Sequence, residues 1–71
     1  MKKKLFIEGM SCQHCVMHVN SALKDLDGIK SVDVNLKGKF ATVELSKDID
    51  HAMLNEVIDD AGYDLVKVEN L

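Results

Sequence analysis

The stretch from Lys4 to Leu26, KLFIEGMSCQHCVMHVNSALKDL, changes its apolar period in the middle. Before Gly9 the period is two. Leu5 and Ile7 lie on one side, with Lys4, Phe6 and Glu8 on the other, which predicts a half-buried strand over residues 2–8. Phe6 then belongs to the face away from the main core. From Cys15 onward the spacing is three and four. Val16, Val19, Leu23 and Leu26, with Ala22 beside them, make the stripe of an amphipathic helix, and Asn20, Lys24 and Asp25 fall outside it. Gly28 follows where a helix of this length needs a left-handed residue at its end.

The same logic organises the rest of the chain. Val32, Val34 and Leu36 alternate with polar residues, as do Ala41, Val43 and Leu45. Lys37-Gly38-Lys39 between them reads as a hairpin turn with its positive φ at the glycine. A second helix begins at Ser46 or Asp48, or takes Asp50 as its N-cap, and carries Met53, Leu54, Val57, Ile58 and Ala61 as its apolar stripe. Gly62 ends it, and Tyr63 to Val68 form a last strand. The order β-α-β-β-α-β predicts an α+β, ferredoxin-like fold, with two helices on one face of a four-stranded antiparallel sheet. Residues 1–71 are expected to form a single domain, without linker, tandem repeat or low-complexity tract.

Composition narrows the function. With 46% apolar residues and a net charge of −3, the chain is not disordered. The aromatics are only Phe6, Phe40 and Tyr63, and neither a basic surface nor a row of stacking rings is offered to nucleic acid. The charge is graded: residues 1–20 carry three Lys against one Glu, whereas residues 47–71 carry two Lys against seven acids. The acidic second half reads as a solvated face that aids solubility, with steering of a basic partner as the alternative. Behind Lys2, Lys3 and Lys4 the apolar run is only Leu5-Phe6-Ile7, so no signal peptide or membrane insertion is predicted. Two closely spaced cysteines are too few for a secreted disulfide framework, and a cytoplasmic location is expected, where free thiols persist.

Cys12 and Cys15 are the only cysteines. Two thiols separated by two residues just before a helix make either a metal clamp or a redox pair. The loop from Gly9 to Gln13 leads into the helix, and Cys15 falls in the opening turn. Unpaired amide groups and the positive end of the helix dipole favour thiolates there, so both cysteine pKa values are expected to fall. Ligands already deprotonated lower the cost of binding a thiophilic metal. Two thiolates suit Cu(I), which is soft and accepts low coordination, whereas zinc wants further ligands from His14, His18, His51, Met10 or a second molecule. Met10 reads as core beneath the loop, His14 as solvent-facing, and His18 and His51 as ordinary surface histidines. Tyr63 is expected on the same sheet edge as Cys12, either packing against the metal loop or filling space there. Asp59 and Asp60 solvate the second helix and form no catalytic pair.

The run Gly9-Met10-Ser11-Cys12-Gln13-His14-Cys15, between a strand and a helix, resembles the heavy-metal-associated domain family, and within it bacterial cytosolic copper chaperones. Asp60-Ala61-Gly62-Tyr63-Asp64 resembles the family's segment after the second helix, and the likeness covers essentially the whole chain. By that resemblance Cys12 and Cys15 are Cu(I) ligands, Met10 supports the loop, and His14 assists a copper-bridged homodimer. Tyr63 matches a tyrosine common in the bacterial chaperones. The implied partners are the metal-binding domain of a copper-transporting P-type ATPase and a copper-responsive repressor, with transfer by sulfur exchange. A chain starting at Met1 and stopping soon after the last strand favours a stand-alone carrier; an ATPase module or a mercury-binding protein is the alternative. A dithiol-disulfide oxidoreductase is the rival from another class. The absence of proline counts against it, since thioredoxin-like folds place a cis-proline beside their disulfide.

Overall fold

A computed structural model describes residues 1–71. The elements are β1 (Lys2–Glu8), α1 (Gln13–Lys24), β2 (Ile29–Asn35), β3 (Phe40–Leu45), α2 (His51–Asp60) and β4 (Asp64–Asn70), in the predicted order. The four strands form one sheet in the order β2-β3-β1-β4, and every neighbouring pair is antiparallel.

Alternation within each strand divides the sheet into two faces. Leu5 and Ile7 of β1 and Ala41, Val43 and Leu45 of β3 point into the core, where Val19 and Leu23 of α1 and Leu54 and Ile58 of α2 meet them. Val32, Val34, Leu65 and Val68 complete that layer at the sheet's edges. On the open face Phe6 lies directly across from Phe40, with ring centroids 6.3 Å apart, and the Lys4 ammonium stands 4.1 Å from the Phe40 centroid. That geometry is a cation–π contact, and the lysine stem covers the rings from water. The pairing of β1 with β4 shifts register between Phe6 and Ile7. Val66 falls at that shift and is turned outward, 60% exposed, so Leu65 and Val68 both keep the inner face.

Several boundaries differ from the sequence expectation. The α1 helix stops at Lys24, and half-buried Leu26 packs on the core from the turn beyond it. For α2 the latest of the three candidate starts holds: Asp50 is the N-cap and the helix runs from His51. That start turns Met53 outward: it is 44% exposed, while Leu54 and Ile58 carry the burial. In the β2–β3 turn the left-handed residue is Lys39 (φ 59), not Gly38. Gly38 is required there for space, because a Cβ would collide with the Phe40 ring. The last strand starts at Asp64, which leaves Tyr63 in the connection from α2.

Candidate metal centre

Antiparallel pairing of β1 with β4 puts the β1–α1 loop and the α2–β4 connection at one end of the molecule. The loop holds the two thiols. Cys12 is the N-cap of α1, with extended backbone (φ −153, ψ 174), and its carbonyl accepts hydrogen bonds from the Cys15 and Val16 amides at 3.1 and 3.3 Å. No acidic side chain occupies the first turn, so the positive end of the helix is free to act on the sulfurs. Cys12 is exposed and Cys15 half-buried, both are free thiols, and their Sγ atoms lie 3.6 Å apart. The two sulfurs therefore face each other on an accessible rim. Met10, only 5% exposed, anchors the loop into the core beneath them.

The second contribution comes from the end of α2. The Tyr63 amide donates to the Ile58 carbonyl at 3.1 Å and the Gly62 amide to the Asp59 carbonyl at 2.9 Å, with Gly62 at φ +94. This is a Schellman closure, which needs a residue free to adopt positive φ at Gly62 and turns the following side chain back onto the helix. It delivers Tyr63 to the β1–α1 loop. Gly9 (φ +99) lets the two segments touch, because a Cβ there would stand 3.2 Å from Tyr63 Cδ1.

The Tyr63 hydroxyl has a direct electrostatic consequence. Its hydrogen bond is the largest cause lowering the Cys15 pKa from its ordinary 9.0 to about 6, followed by backbone hydrogen bonding from Ser11. The same contact raises the Tyr63 pKa, since the proton is held between the two groups. The folded-state value of Cys15 lies below the unfolded one, so its contribution to stability is full above about 9.0 and is lost as pH falls through about 6. Removing the phenol should undo this. In Tyr63→Phe, the midpoint of Cys15 alkylation by iodoacetamide is expected to move up from about 6 toward 9.0; an unmoved midpoint would exclude the tyrosine as the cause.

The remaining sequence candidates separate. His14 is exposed, as expected, and His51 opens α2, whose far end is the one that carries Tyr63 to the site. His18 is exposed on α1, as the sequence reading has it, and in addition its Nδ1 lies 3.3 Å from the Tyr63 hydroxyl. These two residues are 45 positions apart, so no local pattern in the sequence signals the contact. No three ligating side chains among His, Cys, Asp and Glu converge, which leaves the two sulfurs without a Cys2His2 zinc cage. No helix is long and apolar enough to cross a membrane.

Residues 4–64 match the heavy-metal-associated domain family. The chain is 42% identical over 69 residues to the copper chaperone CopZ of Bacillus subtilis (strain 168), covering 93% of this chain and 97% of that one. Among solved structures it is similar to a CopZ metallochaperone, with a TM-score of 0.85 and 39% identity over 93% of this chain and all of the other. It is also similar to a copper binding domain from HMA7, a P-type ATPase, with a TM-score of 0.81 and 29% identity over 100% and 95% of the two chains.

Proposed function

The chain belongs to the heavy-metal-associated domain family, and on that premise we propose that it is a cytoplasmic Cu(I) chaperone, binding the ion between the Cys12 and Cys15 thiolates. The observation that carries the proposal is the pair of sulfurs 3.6 Å apart at the exposed start of α1. An ion held directly between two sulfurs, with metal–sulfur bonds of about 2.3 Å, spreads them to at most about 4.6 Å. The required opening is about 1 Å, and exposed Cys12 is the member free to move. A soft monovalent ion is satisfied by two thiolates, and no further protein ligand is needed.

Exposure makes the site suited to delivery. A partner presenting its own thiols can join the ion before Cys12 leaves, so copper passes without being released to water. The acceptor in this proposal is the metal-binding domain of a copper-transporting P-type ATPase; support comes from the shared fold of a copper binding domain in such an ATPase. A copper-responsive repressor is a second acceptor, and a copper-bridged homodimer uses the same exposed lip. The proposed role involves no catalysis: its relatives named above are metal chaperones and metal-binding domains.

Anaerobic titration with Cu(I), Zn(II) and Hg(II), with mass measured at each step, tests the assignment. Cu(I) is expected to bind first and displace zinc. Preference for Hg(II) in the presence of Cu(I) would support a mercury carrier, and disulfide-exchange turnover unaffected by Cu(I) would support a redox enzyme. Protons compete for the sulfurs, so Cu(I) affinity should fall with pH, and more steeply below the Cys15 midpoint of about 6. A flat affinity between about pH 8 and pH 5 would contradict thiolate coordination.

A further inference from the structure

His14 and His18 lie four residues apart on α1, and both are exposed. Side chains at that spacing stand one above the other on a helix face. The His18 ring is oriented, because its Nδ1 lies 3.3 Å from the Tyr63 hydroxyl. In the tautomer whose Nδ1–H donates to that oxygen, Nε2 keeps the free lone pair. Histidines that ligate metals are commonly held in this way, with the second ring nitrogen donating to a fixed acceptor.

We propose that His14 and His18 form a bis-imidazole site for a borderline divalent ion of the Zn(II) or Ni(II) class, separate from the thiolate pair. Imidazole nitrogen suits both ions, and thiolate sulfur is not needed for either. Two protein ligands leave the remaining positions to water, and no third ligating carboxylate, thiol or imidazole converges on the pair. The site is therefore open and exchangeable, not structural. It also shares Tyr63 with the copper loop: the phenol that contacts the His18 ring is the one that acts on Cys15. Occupancy of one site then acts on the other through a single side chain, and the coupling is reciprocal.

The test uses the full chain carrying Cys12→Ser and Cys15→Ser, which removes the competing sulfurs. It is titrated with Zn(II) and then with Ni(II), followed by calorimetry and by the ring proton resonances of the three histidines. The expected result is saturation at one equivalent, with perturbation of His14 and His18 and none of His51. Adding His14→Ala or His18→Ala should weaken binding at least tenfold, whereas His51→Ala should leave it unchanged. Tyr63→Phe keeps both imidazoles but frees the ring of His18, and should weaken binding by a smaller factor. Absence of saturation up to millimolar metal would overturn the proposal, as would affinity insensitive to either helix histidine. Because no thiol is present, the outcome is independent of whether the intact chain binds Cu(I).

Discussion

Serine at either Cys12 or Cys15 is expected to abolish tight Cu(I) binding while leaving the fold in place. The two halves of this expectation have separate causes. A structural zinc site with four ligands binds with about 10–16 kcal/mol, or roughly 2.5–4 kcal/mol for each ligand. Losing one of only two sulfurs should then cost at least about 10²–10³-fold in affinity, and the hard serine oxygen returns little of it to a soft ion. The fold is spared because neither thiol builds the core. Cys12 is exposed, and Cys15 only borders the buried cluster. The α1 helix begins through the Cys12 carbonyl, which serine also possesses, and serine is the better N-cap. Competition against a chelator measures the first half, and circular dichroism with thermal melting measures the second. Unchanged affinity in either variant would remove that sulfur from the ligand set. Collapse of the fold would show that the thiol is a core residue.

The cysteine pair was legible in the sequence because its signal is local: two thiols, a preceding strand and a following helix all fall within one window. Strand periods were equally plain, since Leu5, Ile7, Val43 and Leu45 each alternate with polar neighbours on a sheet that has one open face. Helix ends were less legible. Leu26 and Met53 fit an ideal helical stripe, yet each lies at a boundary. Leu26 falls past a helix that ends early, and Met53 falls in the first turn of one that starts late. Glycine at position 38 suggested positive φ, but steric room beside Phe40 is the requirement there. The tyrosine–histidine contact had no sequence signal at all. It depends on the Gly62 closure aiming Tyr63 across the end of the sheet, and on His18 facing that end one turn into α1.

That dependence makes the core beneath the closure a second control point. Ile58→Ala is expected to destabilise the protein by about 2–5 kcal/mol, through lost apolar transfer and the cavity left behind. Ile58 is fully buried, and α2 has only Leu54 to share that burial. At roughly 0.05–0.15 kcal/mol per residue the chain has only a few to about 10 kcal/mol in reserve. Each kilocalorie lowers the melting temperature of so small a domain by about 4–8 °C. Met53→Ala, five residues earlier on the same helix but exposed, should change stability by no more than about 0.5 kcal/mol. Equal effects of the two substitutions would mean that α2 is rotated from the orientation described. The Ile58 carbonyl also accepts the Tyr63 amide, so the substitution falls at the residue whose backbone holds the one that lowers the Cys15 pKa. Alanine there should loosen the phenol from the sulfur and raise the alkylation midpoint above about 6, even in the fraction that remains folded. Loss of stability with an unchanged midpoint would show that Tyr63 is held by the metal loop itself, through Gly9, and not by the helix behind it.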